Sequence, residues 1–442
     1  MIATDSKRLT RRSALAAILL ACLGPACGDS PGPAAVDAAP PAGDPDASLP
    51  DAGPPRACDG AVFETIHEHD VDGLAFNLGS SSKLVTSPGG RLHAAFTDSV
   101  ESTGVIVTAD RGDDGWTEPV QVSGTEPSSS SPSMVEHDGT LHLAWTHRPR
   151  DARTDPNKDI YYASRPSAGG AWAAPANITG IYESELQRDG NSPSLASGPD
   201  GELVVAYESG ARDPLFGPIQ HNTAGRVIEI VEGAPAGPPV EVIPPSFEGC
   251  YVNHARFSAD GVLHVVSICD EGQDGPDEFD WSVYRAIRTG GQWSEARRAG
   301  LYPSGLAATT GPDGVIHAAW FTWCVGTQQD CGFVSYAVLS DDDLETPVVT
   351  VPAPTDSFVQ GIAVRQDGRV VITVSRVEND VRQVLVLDSA DGATFDLCDL
   401  TPSADDDENG GDVAFDPDTG EVVLVFGRTT PTATHLELAR IP

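Results

Sequence analysis

From about position 58 onward, apolar residues come in short runs broken by turns rich in Gly and Asp, a pattern of strands rather than helices. One hairpin recurs: a short apolar strand, a tight turn with Gly, then an apolar strand that often contains Leu-His. Its copies lie at 84–96, 132–145, 193–207, 253–267, 305–320, 360–375 and 412–426. Their turns are Pro88-Gly89-Gly90, Asp138-Gly139, Asp200-Gly201, Asp260-Gly261, Asp313-Gly314, Asp367-Gly368 and Asp418-Thr419-Gly420. Asp-Gly between apolar runs specifies a hairpin, because the turn needs positive φ, which Gly adopts without strain.

The turns repeat at about 50 to 60 residues, the scale of a propeller blade. A third strand follows most hairpins, at 105–108, 160–163, 227–230, 281–286, 333–338 and 384–387, and a fourth follows at 119–122, 240–243 and 347–351. Four strands per repeat make a blade, and a ring of blades leaves only short, protected edges. The expected fold is therefore all-β: a single β-propeller of seven four-stranded blades. The last hairpin has a third strand, 435–439, and no fourth, while 61–67 precedes the first hairpin without a partner. The N-terminal strand is expected to supply the missing one and close the ring.

The first 57 residues follow a different pattern. Lys7, Arg8, Arg11 and Arg12 precede a short apolar run at 14–21, too short for a membrane span of about 20 residues and suited to a secretory signal. Arg11-Arg12 fits either a twin-arginine route or an ordinary basic start. Leu19-Leu20-Ala21-Cys22 resembles a bacterial lipobox, which would make Cys22 the acylated residue. Cys27 is the alternative: its neighbours Gly24-Pro25-Ala26 fit less well, but acylation there leaves an even number of cysteines. Residues 28–57, mostly Ala, Pro, Asp, Gly and Ser, read as a disordered spacer, leaving 58–442 for the propeller. The resulting expectation is an exported outer-membrane or cell-surface lipoprotein, with simple secretion as the alternative.

The remaining cysteines fit the ring. Cys250 and Cys269 flank one turn almost symmetrically, Cys324 and Cys331 bracket one loop, and Cys58 and Cys398 are left to staple the closure. With 27 Lys and Arg against 65 Asp and Glu, the net charge of −38 repels a phosphate backbone and argues against nucleic acid. A monomer is expected, meeting the membrane only through its lipid.

The repeats resemble the sialidase-like propellers with Asp-box (BNR) repeats. The resemblance rests on 193–207, on Ile160-Tyr161-Tyr162-Ala163-Ser164, on Gly169-Gly170-Ala171-Trp172, and on Ser389-Ala390-Asp391-Gly392-Ala393-Thr394-Phe395. It spans the chain after Cys58 and implies the fold. True sialidases surround a six-bladed ring with an arginine triad, an acidic proton shuttle and a Tyr/Glu pair. Their Arg-Ile-Pro motif stands near the start, whereas here Arg440-Ile441-Pro442 ends the chain, so no catalytic residue carries over.

Long loops between second and third strands and between blades are expected to share one face and hold the ligand. Its candidate residues are Arg148, Arg150, Arg153, Glu183, Arg188, Tyr251, Asn253 and His254. The functional reading is a pocket for an acidic sugar or peptide; the simpler one is solvated charge. His93, His142, His264 and His317 recur at one position of the second strand, which points to packing rather than metal. His67, His69, Asp70 and Asp72 form either a cation site or a polar strand end. No cofactor is expected; Asp405, Asp406, Asp407 and Glu408 offer oxygens for weak calcium binding, against the simpler reading of an acidic loop. The leading function is a surface-anchored binding module for a glycan or protein, with a sialidase-like glycoside hydrolase as the alternative.

Overall fold

A computed structural model describes residues 56–70, 83–100, 103–125, 128–148, 158–180, 190–210, 223–243, 249–270, 281–301, 303–323, 332–340, 348–354, 357–378, 381–400, 407–430 and 433–442. Pro54–Pro442 forms one compact unit. Its described residues hold strands and turns and no helix.

The strands fall into six sheets, one of them nine-stranded. That sheet divides into two antiparallel units joined at a single parallel bridge between Gly305 and Val359. Seven antiparallel units result. Their first strands, termed inner strands below, are Leu84–Thr86, Ser129–His137, Gly190–Ser197, Gly249–Phe257, Pro303–Thr310, Ser357–Val364 and Asp407–Phe415, each paired with the strand that follows it. Sequence and structure agree on all seven hairpins. At the second turn Asp138 and Gly139 both take positive φ, 49° and 76°, as a two-residue turn requires.

The seventh unit contains Val62–Asp70, which pairs antiparallel with the last strand, Ala433–Ile441, from Val62 opposite Arg440 to Asp70 opposite Ala433, with a register shift between Thr65 and His67. Just before it, Arg56–Ala57 runs parallel to Asp396–Asp399 of the sixth unit, and there Cys58 is joined to Cys398. Cys250 is joined to Cys269, directly opposite it in the fourth hairpin. Cys324 and Cys331 lie outside the described residues. Two disulfides suit an extracellular, oxidising setting.

Cores form within and between neighbouring units. Trp145 and Trp320 are fully buried, as are Phe96, Phe321 and Phe426 from the second strands. Polar ties cross the same seams. Arg165 of the second unit meets Asp110 of the first, and Arg288 of the fourth meets Glu202 and Glu229 of the third. Trp172 donates its indole N–H to Thr108 of the first unit at 3.1 Å.

The turn at Ser389 to Phe395 is self-contained. The Asp391 carboxylate accepts from the amides of Ala393 at 2.9 Å and Thr394 at 3.0 Å, and from the Ser389 hydroxyl. Phe395 then packs edge-on against Tyr336 of the fifth unit. Arg440 is bonded to Asp416 at 2.9 Å and Glu421 at 3.1 Å.

Candidate functional site

Six of the seven inner strands carry a register shift in mid-strand. A bulge of this kind re-aims the side chains that follow it. Counting back three residues from the last paired position before each turn, or four in the second unit with its two-residue turn, gives one site per unit. Lys83, Ser133, Ser194, His254, Ala307, Gly361 and Asp412 occupy it.

Several of these residues reach the neighbouring inner strand. The Ser133 hydroxyl accepts from the Leu195 amide at 2.9 Å, and the Ser194 hydroxyl accepts from the Ala255 amide at 3.1 Å. His254 donates from Nε2 to the Leu306 carbonyl at 2.8 Å. Asp412 accepts from the amides of Leu84, at 2.8 Å, and Lys83. The bonds thus run from the second unit to the third, fourth and fifth, and from the seventh to the first.

Beside this row lies a cavity of about 490 Å³. His254, Arg256, Gln360, Arg365, Asp412 and Asp416 are among its polar lining, with Gly361, Ala307, Ala363 and Ala414 supplying small walls. The volume is that of a small-molecule pocket. Pro312, Gln366, Pro417 and Gly420 also line it, which places it toward the hairpin-turn ends of the inner strands.

The electrostatics follow from burial. Burial pushes the Asp412 carboxyl up, opposed by the two amides and by the charges of Lys83 and Arg256. Burial pulls the Lys83 ammonium down to about 8, with Asp412 acting against it. His254 falls to about 3, through burial first and then the neighbouring charge of Arg256. Its imidazole is therefore neutral at physiological pH. Since Nε2 donates to a carbonyl, Nδ1 is an acceptor, and it is buried with no hydrogen-bond partner among the described residues.

Of the residues singled out from sequence, His254 alone is placed on this cavity. Arg148 is exposed at the end of a second strand, its amide bonded to the Ser128 carbonyl at 2.7 Å. Arg150, Arg153, Glu183 and Arg188 lie outside the described residues; Tyr251 and Asn253 belong to the Gly249–Phe257 strand. Lys83, Arg256 and Asp412 were missed. The signal available was the repeat itself: aligned by their turns, the hairpins put a charged residue at this position in the first and last copies.

The repeated histidines do not converge. His93 bonds Asp110 at 2.7 Å, His142 the Tyr162 hydroxyl at 2.6 Å, His264 Arg285 at 3.1 Å and His317 the Tyr336 hydroxyl at 2.7 Å, each within its own unit. His67 reaches Asp98 at 3.3 Å; Asp72 lies outside the described residues. The acidic run is not one loop. Asp407 and Glu408 begin the seventh inner strand, where Asp407 accepts from the Arg382 amide at 2.8 Å and Glu408 from the Val384 amide at 3.1 Å. Asp405 and Asp406 lie outside the described residues, among which no cluster of three or more metal-ligating side chains occurs.

No family model and no curated protein matches the chain. Solved structures do. A protein of unknown function from Dyadobacter fermentans aligns at TM-score 0.51 and 12% identity, over 87% of this chain and all of that one. An ulvan lyase described as a new polysaccharide lyase family, PL25, aligns at TM-score 0.56 and 13% identity, over 83% of this chain and 95% of its own. The same lyase bound to -[GlcA(1-4)Rha3S]- aligns at TM-score 0.55 and 12% identity, with the same coverage. The likeness is one of fold, to propeller-type all-β proteins.

Proposed function

We propose that this chain is an exported carbohydrate-binding propeller, held at the cell surface by an acylated cysteine, Cys22 or Cys27, and a spacer over 28–57. The seven antiparallel units are its blades, and Val62–Asp70 closes the ring as the outer strand of the last. Two observations support closure: the pairing of that strand with the final one, and the bonds from Asp412 to Lys83 and Leu84 between the last and first inner strands. The ring acts as a monomer and meets the membrane only through its lipid.

The observation that carries the binding reading is the cavity at the turn ends of the inner strands. Its rim mixes donors and acceptors, Arg256, Arg365, Gln360 and His254, with small aliphatic walls, the make-up of a site for a polar, ring-shaped ligand. An oligosaccharide is also what one fold neighbour is described as bound to. A second reading, saccharide cleavage, has in its favour that an ulvan lyase shares the fold.

A glycan array with the full chain, run beside reducing-end and fluorogenic-glycoside assays, separates the two. Binding without product formation is expected. Product formation makes the protein an enzyme, and silence on every glycan removes the carbohydrate reading in favour of a protein ligand.

A further inference from the structure

The seam between the first and second units and the seam between the third and fourth are built alike. The Thr117 amide donates to Asp110 O and the Ala236 amide to Glu229 O, both at 2.9 Å. The Ala173 amide donates to Ser164 O at 2.9 Å and the Ser294 amide to Ile287 O at 2.8 Å. These bonds align Asp110 with Glu229, Arg165 with Arg288, Trp172 with Trp293, and Thr108 with Val227. Each arginine meets its carboxylate and lies over its tryptophan, at 5.0 Å in one seam and 5.9 Å in the other. One difference matters. Trp172 donates its indole N–H to the Thr108 hydroxyl, whereas Val227 offers Trp293 no acceptor. Beside Val227 lies a cleft of about 190 Å³, lined in part by Glu229, Pro238, Val240, Arg288 and Trp293.

The cleft is open to solvent. Val240 is 49% exposed and the Glu229 side chain 51%. The Trp293 N–H has no hydrogen-bond partner among the described residues and, unlike those of Trp116 and Trp145, is not sealed from water. Glu229 and Arg288 are its charged lining. Arg288 is committed to Glu229 Oε1 and, at 2.9 Å, to Glu202. Glu229 Oε2 has no partner among the described residues.

The cleft therefore presents one open donor and one open acceptor beside an apolar wall. Two carboxylates around one guanidinium repel an anionic ligand, and Arg288 opposes an ammonium approaching Glu229. A prolyl residue fits the wall and its carbonyl takes the indole proton, but it has no N–H to give Glu229. Sugar hydroxyls donate and accept. The volume lies below the roughly 300 Å³ of ordinary ligand pockets, so a single ring enters.

We propose that this cleft is a second saccharide site, seating one neutral sugar ring with one hydroxyl accepting from Trp293 Nε1 and another donating to Glu229. The inference rests on the carbohydrate reading and concerns a place that shares no lining residue with the turn-end cavity.

Two variants isolate the donor. Trp293→Phe removes the indole N–H and keeps an aromatic ring. Val227→Thr offers that N–H the acceptor that Thr108 supplies in the other seam. Full-length protein labelled with ¹⁵N-tryptophan is titrated with neutral xylo-, manno-, cello- and galacto-oligosaccharides, with oligogalacturonate and with decaproline, and affinities are read by calorimetry. The Trp293 indole resonance is identified by its loss in W293F. It is expected to shift with a neutral saccharide, with W293F and V227T each weakening that binding roughly five- to tenfold, the size of one neutral hydrogen bond. Melting temperatures confirm that both variants fold, and the resonance of the parent decides alone where one does not. If a neutral saccharide binds while the resonance stays unmoved and folded variants bind as well as the parent, this inference falls and the carbohydrate reading stands. If only oligogalacturonate moves the resonance, the inference again falls alone. If only decaproline moves it, the cleft is a peptide groove and the inference falls. If no saccharide binds anywhere, both fall.

Discussion

The carboxylate of Asp412, on the last inner strand, accepts a hydrogen bond from the backbone amide of Leu84, on the first, at 2.8 Å and across 328 residues of sequence. The same oxygen takes the Lys83 amide, and the Lys83 ammonium supplies the opposing charge. Deleting the carboxylate orphans two buried amides and leaves a buried cation without this counter-charge. Asp412→Ala is expected to lower unfolding free energy by roughly 2–4 kcal/mol. Asp412→Asn, which keeps an acceptor oxygen, is expected to cost less. Urea unfolding curves of the three proteins check this; equal midpoints would show the contact to be energetically idle.

The two disulfides among the described residues constrain very different lengths of chain. Cys58 and Cys398 are 340 residues apart, while Cys250 and Cys269 are 19 apart and already opposed in a hairpin. Chain-entropy scaling makes the long closure worth roughly 2–3 kcal/mol more. Cys58→Ala/Cys398→Ala is therefore expected to unfold at distinctly lower denaturant than Cys250→Ala/Cys269→Ala under non-reducing conditions. The reverse order would mean that strand pairing alone holds Arg56–Ala57 in place.

The hairpins were legible because their code is local: an Asp-Gly turn and two apolar strands specify themselves within about fifteen residues. The position of Val62–Asp70 was legible by elimination, since one strand lacked a partner at each end of the domain. The cavity was not. Lys83, Arg256 and Asp412 sit in different repeats, and what brings them together is the register between inner strands, fixed by bulges such as that between Asn409 and Asp412. Bulges cannot be read from apolar alternation, because they break it. The histidines show the opposite case: the repeat made their shared position visible, and each bonds a partner within its own unit, Tyr162 and Tyr336 among them.

The half-buried His142 contributes to the acid limit of stability. Burial, helped by the charge of His137, holds His142 down to about 4. In the unfolded chain it titrates near 6.5. The unfolded state therefore binds more protons between those values, so stability is full above about 6.5 and is lost as pH falls toward 4. His142→Asn retains an acceptor for the Tyr162 hydroxyl and removes the titration. It is expected to flatten the acid limb by on the order of 1–2 kcal/mol, allowing for the imidazole's partial exposure. Thermal melts at pH 4.5 and 7 compare the two proteins; parallel losses would assign the acid sensitivity elsewhere.

Glu408 acts in the other direction. It begins the seventh inner strand, is 1% exposed, and has Asp399 and Glu437 nearby. Burial, reinforced by those two carboxylates, pushes its carboxyl up to about 8, against the Val384 amide and Arg428. The folded protein thus keeps a proton that the unfolded chain releases above about 4.5. The sign is opposite to that of His142: stability is full below about 4.5 and is lost as pH rises through 8. Glu408→Gln preserves an oxygen for the Val384 amide and cannot ionise. It should match the parent at pH 4.5 and exceed it at pH 8.5 by on the order of 3 kcal/mol. The comparison is clean despite the chain's net charge of −38, because general repulsion among surface carboxylates grows equally in both proteins. If the parent and E408Q lose stability in parallel above neutral pH, that general repulsion, and not this buried acid, governs the alkaline limb.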